Sequence, residues 1–384
     1  MRSDALPLMS RPMAFVLLAA LGTFTNVNLL LPVMPLYVAR SGAGDFFAGL
    51  ATTALLLTTV VAQIGTPRVL GRCGYSSTLI AGMVLLGVPS AFYVWTDAAV
   101  PLLGITLVRG LGFGVATVAF AALVTDLSPP ERRGEGIGLY GVASTLPAVF
   151  GLPLGLWLVN WLGYETVFLA GAAGCVVGVA GVLAARVNAV DPPDGSAGFV
   201  AGMRRSSLRR PLFAFVSTTV AAGVLVTFLP LASPGSGLDS AATALLLWGL
   251  VQTAARWWAG RATDRSGAER LIQLSLVLSG LGMLAVSLPE NPVMLLTGAV
   301  LNGVGFGVLQ NATLSVLTDR VPRSEYGMIS TLWNVGFDAG AGASPLVFGL
   351  IAAGAGYPFA FAATAALIFA SLVFARPDAV ENKT

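Results

Sequence analysis

Histidine is absent from this chain, and lysine occurs once, as Lys383. Without an imidazole there is no His triad, no His-based metal site and no His proton relay. Cys73 and Cys175 are the only cysteines, too few for a disulfide framework or a zinc cluster. No glycine-rich stretch ends in Gly-Lys-Ser/Thr, so ATP-driven pumping through a P-loop is excluded. Charge is scarce as well: 10% of the 384 residues, where an ordinary soluble domain carries roughly 25%. What fills the chain instead is apolar, 56% of it. At about 20 residues per membrane span, twelve spans use about 240 residues and leave about 144 for connections. That division suits short loops and leaves no space for a separate soluble domain. The composition predicts an all-α, multi-pass membrane protein.

Apolar runs, cut where charges and turn residues cluster, predict twelve spans. They are 13–37, 46–64, 75–96, 101–125, 135–160 and 164–185, then 211–232, 241–260, 268–288, 292–317, 325–353 and 357–375. Arg2 and Arg11 precede the first run as they would in a signal peptide. That run is longer than a normal h-region, however, and removing it would leave an odd number of spans. The basic residues test the count independently. With the N-terminus inside, 18 of the 21 Lys and Arg fall in inside segments, Arg40 falls outside, and Arg109 and Arg256 fall within spans. A miscounted span would scramble this bias, so both termini are expected in the cytoplasm of a cell-membrane protein. The net charge of +3 is then mostly topology, and arginines scattered over seven segments do not make a nucleic-acid surface.

The two halves repeat. Arg109-Gly-Leu-Gly-Phe-Gly-Val115 matches Asn302-Gly-Val-Gly-Phe-Gly-Val308 at an offset of 193. The same offset carries Thr125-Asp126 onto Thr318-Asp319, and Gly71-Arg72-Cys73-Gly74 onto Asp264-Arg265-Ser266-Gly267. Six spans per half make the repeat parallel, giving two six-helix bundles, 1–186 and 211–384. Residues 187–210, with Pro192-Pro193-Asp194-Gly195 and four arginines, form a cytoplasmic linker.

On these residues the chain resembles the major facilitator superfamily, in its twelve-helix proton-coupled drug and sugar efflux branch, over essentially its whole length. Gly260-Arg-Ala-Thr-Asp264-Arg265-Ser-Gly267 resembles the family's loop after the second helix of a half. Arg109-Gly-Leu-Gly112-Phe-Gly114 resembles its fourth-helix motif. The resemblance implies two bundles rocking about a central cavity that opens to each face in turn, a monomer, and no cofactor beyond the proton gradient. Two departures stand out. In Pro67-Arg-Val-Leu-Gly71-Arg72-Cys73-Gly74, Gly71 occupies the family's acidic position, which leaves gating to Gly260, Asp264, Arg265 and Gly267. The fifth helix carries Gly151-Leu-Pro153-Leu-Gly155 in place of the exporters' adjacent Gly-Pro.

Of eighteen acidic residues, Asp338 alone lies deep in a predicted span. An ionised carboxylate at mid-bilayer costs about 2.5–3.5 kcal/mol on insertion scales, so it must be protonated, paired or facing water. A site for the proton or substrate is the functional reading; a structural aspartate bonded between helices is the alternative. Arg109 is always charged and needs an acceptor. Its repeat partner is neutral Asn302, which favours a role in proton coupling over a tether inside the first bundle. The resemblance places spans 1, 4, 7 and 10 around the cavity, so Asn26, Asn28, Asn302 and Gln310 would bind substrate there, although amides also bond helices together. Asn334 is assigned to the cavity from the polar stripe it shares with Thr331, Asp338 and Gly342 in span 11. Trp333 would stack on a ligand there or pack as an ordinary aromatic. Arg256 is expected to snorkel to the inner face, and Asp45 and Asp239 to cap spans 2 and 8.

The expected function is proton-coupled antiport of small lipophilic compounds, such as drugs or natural products, out of the cell. Its partners would be substrate, protons and lipid, with no nucleic acid. A same-fold importer or sugar symporter is the alternative, and a non-transporting membrane sensor is the reading from a different class. An intramembrane enzyme would need a second catalytic group beside Asp338.

Overall fold

A computed structural model describes residues 9–129, 132–186, 199–233, 237–266, 268–322 and 325–374. The described residues are almost wholly helical, with no strand among them. The elements are α1 (Arg11–Leu30), α2 (Val33–Val38), α3 (Gly44–Phe92), α4 (Ala99–Leu127), α5 (Arg133–Ala185) and α6 (Phe199–Arg204). They continue as α7 (Ser206–Ala232), α8 (Gly237–Ser266), α9 (Ala268–Val286), α10 (Pro292–Asp319) and α11 (Tyr326–Ser371). Seven helical stretches of the described residues are long and apolar enough to cross a membrane. In hydrocarbon every backbone N–H and C=O must be satisfied internally, which is why helices are the form such sequences take.

Local chemistry sets the ends and breaks. Ser10 caps α1 by accepting from the Met13 N–H at 3.3 Å, and Asn291 caps α10 through the Val293 N–H at 3.0 Å. Pro32 stands at the break between α1 and α2, while Pro35 lies inside α2. Long α5 and α11 each carry one non-helical glycine, Gly163 (φ 81°, ψ 171°) and Gly356 (φ 82°, ψ 164°). Positive φ is open to glycine at no steric cost. These two glycines stand 193 residues apart, so the sequence repeat is also a repeat of backbone geometry.

The chain divides into two compact units. One holds the described residues of Met1–Gly42 and Ala54–Asp194; the other holds those of Ala43–Thr53 and Gly195–Thr384. In the first unit, α1, α4, α5 and the later part of α3 enclose a core of Met13, Leu79, Met83, Phe120 and Leu123, each fully buried. Here α5 lies so close to α1 that a Cβ on Gly155 would stand 2.1 Å from the Leu29 carbonyl oxygen. Gly151, Pro153 and Gly155 are all buried, and their place is this contact.

In the second unit, α10 packs on α8 and α9, and α11 on α7. The opening turns of α3 belong to this unit. Tyr357 donates to the Asp45 carboxylate at 2.5 Å, and Thr227 donates to the Thr52 hydroxyl at 3.0 Å. Asp45 therefore serves an inter-helix hydrogen bond from the first turn of α3, where the sequence suggested an N-cap. Arg205 donates to Glu325 at 2.9 Å, and its guanidinium holds that carboxyl below the ordinary glutamate range.

The same packing recurs inside each unit. A Cβ on Gly114 in α4 would meet the Thr59 carbonyl oxygen at 2.3 Å, and one on Gly307 in α10 would meet the Gln252 carbonyl oxygen at 2.2 Å. Thr59 and Gln252 are themselves 193 apart. Likewise Gly112 abuts Gly82 and Leu86, while Gly305 abuts Ser275 and Ser279, again at the repeat offset. Among apolar helices in lipid, such backbone approach is a main source of packing energy.

Gly114→Ala and Gly307→Ala should each force two backbones apart and cost about 1–3 kcal/mol. Gly104→Ala, where a Cβ meets nothing within 4 Å, should gain up to about 1 kcal/mol from helix propensity. Thermal unfolding of the detergent-solubilised protein reads both, and equal shifts for all three would remove the packing argument.

Candidate functional site

In the first unit the polar centre is Arg109, which α4 presents to the interior; it is 1% exposed. Its Nη2 donates to Asn26 Oδ1 of α1 at 2.9 Å, and its Nη1 donates to the Tyr93 hydroxyl at 3.1 Å. Tyr93 opens a short 3-10 turn after α3, Tyr93–Trp95. Its hydroxyl also lies 2.7 Å from Thr106 Oγ1, and its ring carries the guanidinium carbon 5.3 Å from its centroid. Asn26 donates onward to Ser90 at 3.1 Å. The Nε of Arg109 is buried with no partner.

A permanent cation thus sits inside the first unit on neutral dipoles alone. Low local dielectric strengthens these bonds and raises the cost of losing any of them. Asn28, also proposed for a cavity, is half-buried and donates to the Phe24 carbonyl of its own helix at 2.9 Å.

The second unit holds the remaining sequence-predicted residues. Asn302 is the counterpart of Arg109 and fully buried. It accepts from Trp248 Nε1 at 2.9 Å and faces the Ser279 carbonyl at 3.5 Å. Gln310, 2% exposed, accepts from Arg256 Nη1 at 3.1 Å. The Arg256 guanidinium lies 5.7 Å from the centroid of the Trp333 ring. Arg256 therefore turns onto α10 and α11, where the sequence suggested a side chain reaching for the inner interface. Trp333 stacks on Phe215 at 4.6 Å and stands 6.2 Å from Phe337. Phe337 in turn neighbours Phe306 at 6.1 Å, and Phe306 stacks on Trp248 at 5.7 Å.

Asp338 is half-buried and is not without a partner. It lies between Gly336 and Gly340, where α11 closes on α7; a Cβ on Gly340 would stand 2.0 Å from Thr219 Oγ1. Asn334 is exposed and bonds the Ser330 carbonyl one turn back at 2.8 Å. Gly260 is exposed on α8. The side chains of Asp264 and Arg265, and Gly267 altogether, lie outside the described residues.

The structure therefore gathers Arg109 with Asn26 and brings Gln310 and Trp333 each against Arg256, while Asn28 and Asn334 bond carbonyls of their own helices. Sequence reasoning missed Tyr93, whose hydroxyl is invisible in an apolar run. It also missed the inward turn of Arg256. A signal for the latter existed, because the repeat offset places neutral Gln63 opposite Arg256. Among the described residues, no three His, Cys, Asp or Glu side chains are grouped as metal ligands.

Because Asn26 keeps Ser90 and Tyr93 keeps Thr106, Arg109→Met leaves one buried acceptor unmet, at about 1–3 kcal/mol. Asn26→Leu instead strips a buried cation of a charge-assisted bond and should cost more, above about 3 kcal/mol. Melting temperatures compared in one detergent check the order, and the reverse order would show that Asn26 does not hold the charge.

The model of the family described as Major Facilitator Superfamily matches residues 16–261 and 235–384. The chain is 24% identical over 366 residues to a protein of Escherichia coli (strain K12) described as the uncharacterized MFS-type transporter YhhS, covering 91% of this chain and 88% of that one. Its fold matches a bacterial homolog of the human lysosomal transporter Spinster, solved inward-facing and occupied, with a TM-score of 0.74 at 15% identity, over 94% of this chain and 95% of that one. It also matches a POT family transporter in complex with 5-aminolevulinic acid, with a TM-score of 0.77 at 12% identity, over 94% and 95% of the two chains.

Proposed function

The chain belongs to the Major Facilitator Superfamily, and from that membership we propose that it is a proton-coupled exporter of small lipophilic compounds, working by alternating access. Membership makes it a multi-pass inner-membrane transporter of small molecules rather than an enzyme. The finer reading takes twelve spans, with the long helices turning back at Gly74, Gly163 and Gly356, and both termini in the cytoplasm as the arginine bias requires. Such a protein acts as a monomer and needs no cofactor, its energy coming from the proton gradient.

The observation that carries the reading is the position of Asp338. It stands twelve residues into α11, about 18 Å along the axis at 1.5 Å per residue. Every other acidic side chain in the described residues lies close to a helix end or a glycine break. A carboxyl this deep is favoured neutral when shut away from water and ionised when water reaches it. That difference is what proton exchange with a substrate requires. Arg109 contributes a fixed charge that braces α1 against α4 through Asn26, so the first unit keeps its shape while the coupling site titrates. Gly260, Asp264, Arg265 and Gly267 would gate the cytoplasmic side. There the acid would dock on a helix N-terminus, whose dipole favours negative charge.

Inside-out vesicles, screened with a panel of lipophilic dyes and antibiotics, test this directly. An imposed pH gradient should drive accumulation of at least one compound, and Asp338→Asn should abolish the response while leaving expression and melting temperature within a few degrees. Gradient-driven accumulation that survives in Asp338→Asn would remove Asp338 from the coupling.

A further inference from the structure

We infer that Arg256, Gln310 and Trp333 form an anion-binding subsite in the second unit, which takes the acidic head of a lipophilic aromatic monoanion. This rests on the chain being a transporter of lipophilic compounds and narrows which of them it selects.

The donors and acceptors do not balance. Arg256 is charged at every relevant pH and has only donors. Among the described residues it forms no ion pair; its partners are the Gln310 oxygen at 3.1 Å and the face of Trp333. Since a guanidinium can only donate, the oxygen of Gln310 must face it, and the amide nitrogen is what remains. That Nε2 is buried without a partner on a side chain 2% exposed. The indole Nε1 of Trp333 is likewise buried and unpartnered, and it too can only donate. Three side chains joined through Arg256 therefore offer spare N–H groups, and the one acceptor among them, the Gln310 oxygen, is already turned to Arg256. A carboxylate or sulfonate, which only accepts, is the chemical complement.

Architecture does not call for this charge. At the repeat offset, Gln63, Thr117 and Tyr140 occupy the positions of Arg256, Gln310 and Trp333. There the Tyr140 hydroxyl donates to the Thr117 carbonyl at 3.3 Å, so the first unit links these two positions with no cation between them. The second unit adds the charge where five rings adjoin: Phe215, Trp333, Phe337, Phe306 and Trp248 follow one another at centroid separations of 4.6, 6.2, 6.1 and 5.7 Å. An aromatic body beside an acidic head fits that surface through ring stacking and charge-assisted bonds.

The test is equilibrium binding to the purified full-length protein, using naphthalene-2-sulfonate and its neutral analogue naphthalene-2-sulfonamide. The sulfonate stays ionised throughout, and no proton gradient is applied. Failure of proton coupling therefore leaves this measurement untouched. The sulfonate should bind about tenfold more tightly than the sulfonamide. Arg256→Gln, which copies the residue of the first unit, should erase that preference by weakening the sulfonate alone. Trp333→Phe keeps the ring, removes one donor and should weaken the sulfonate about threefold, which keeps a test available if Arg256→Gln does not fold. Equal affinities for the two compounds, binding of neither, or a preference that persists in the variants would overturn the subsite.

Discussion

Helices surrounded by lipid gain nothing from hiding apolar surface from one another, because the tails outside are as apolar as the side chains within. They hold together where backbones come close, which small residues allow and which a residue without a Cβ allows most. Gly114 on Thr59 and Gly307 on Gln252 are this contact, made twice at equivalent places. Gly155 against Leu29 and Gly340 against Thr219 extend it to the first and last long helices of their units. Everything polar in the interior is arranged around helices already brought this close.

That closeness decides which charges can be kept inside. Arg109 is enclosed on all sides, and its stabilisation comes from oriented neutral groups, Asn26 and Tyr93, each anchored by a further hydroxyl. Its counterpart Asn302 needs less and finds it in Trp248 and Ser279. The repeat thus preserves the backbone contacts while exchanging a charged centre for a neutral one. At the positions of Gln63 and Arg256 the exchange runs the other way. The two units share a scaffold and differ in where each places its cation.

The division of labour in the proposed transport cycle follows from this. A cation held by neutral groups of two neighbouring segments ties them together, so Arg109 suits bracing. A carboxyl well inside α11 can change its ionisation as water comes and goes, so Asp338 suits coupling. A cation with donors to spare beside aromatic rings suits recognition, which is the place given to Arg256. The fold alone does not choose among substrates: the matched structures include a Spinster homolog and a transporter holding 5-aminolevulinic acid on the same architecture.

The membrane class, the repeat and its register were legible in the sequence, because each depends on composition or on spacing along the chain. Lack of charge predicts helices in lipid, and an offset of 193 predicts paired contacts that recur at Gly163 and Gly356 as well as in α4 and α10. Asp338 and Arg109 stood out for a similar reason, as ionised groups in apolar runs. Which partners those groups meet was not legible. Tyr93 and Arg109 are joined by the turn after α3, Arg256 is drawn to Gln310 across two helices, and Asp45 bonds Tyr357 from more than three hundred residues away. Such pairs depend on the rotation of each helix about its axis, and that is set by side-chain packing against neighbours remote in sequence. Local pattern marks a helix as buried; only the assembled bundle decides which of its faces meets which partner.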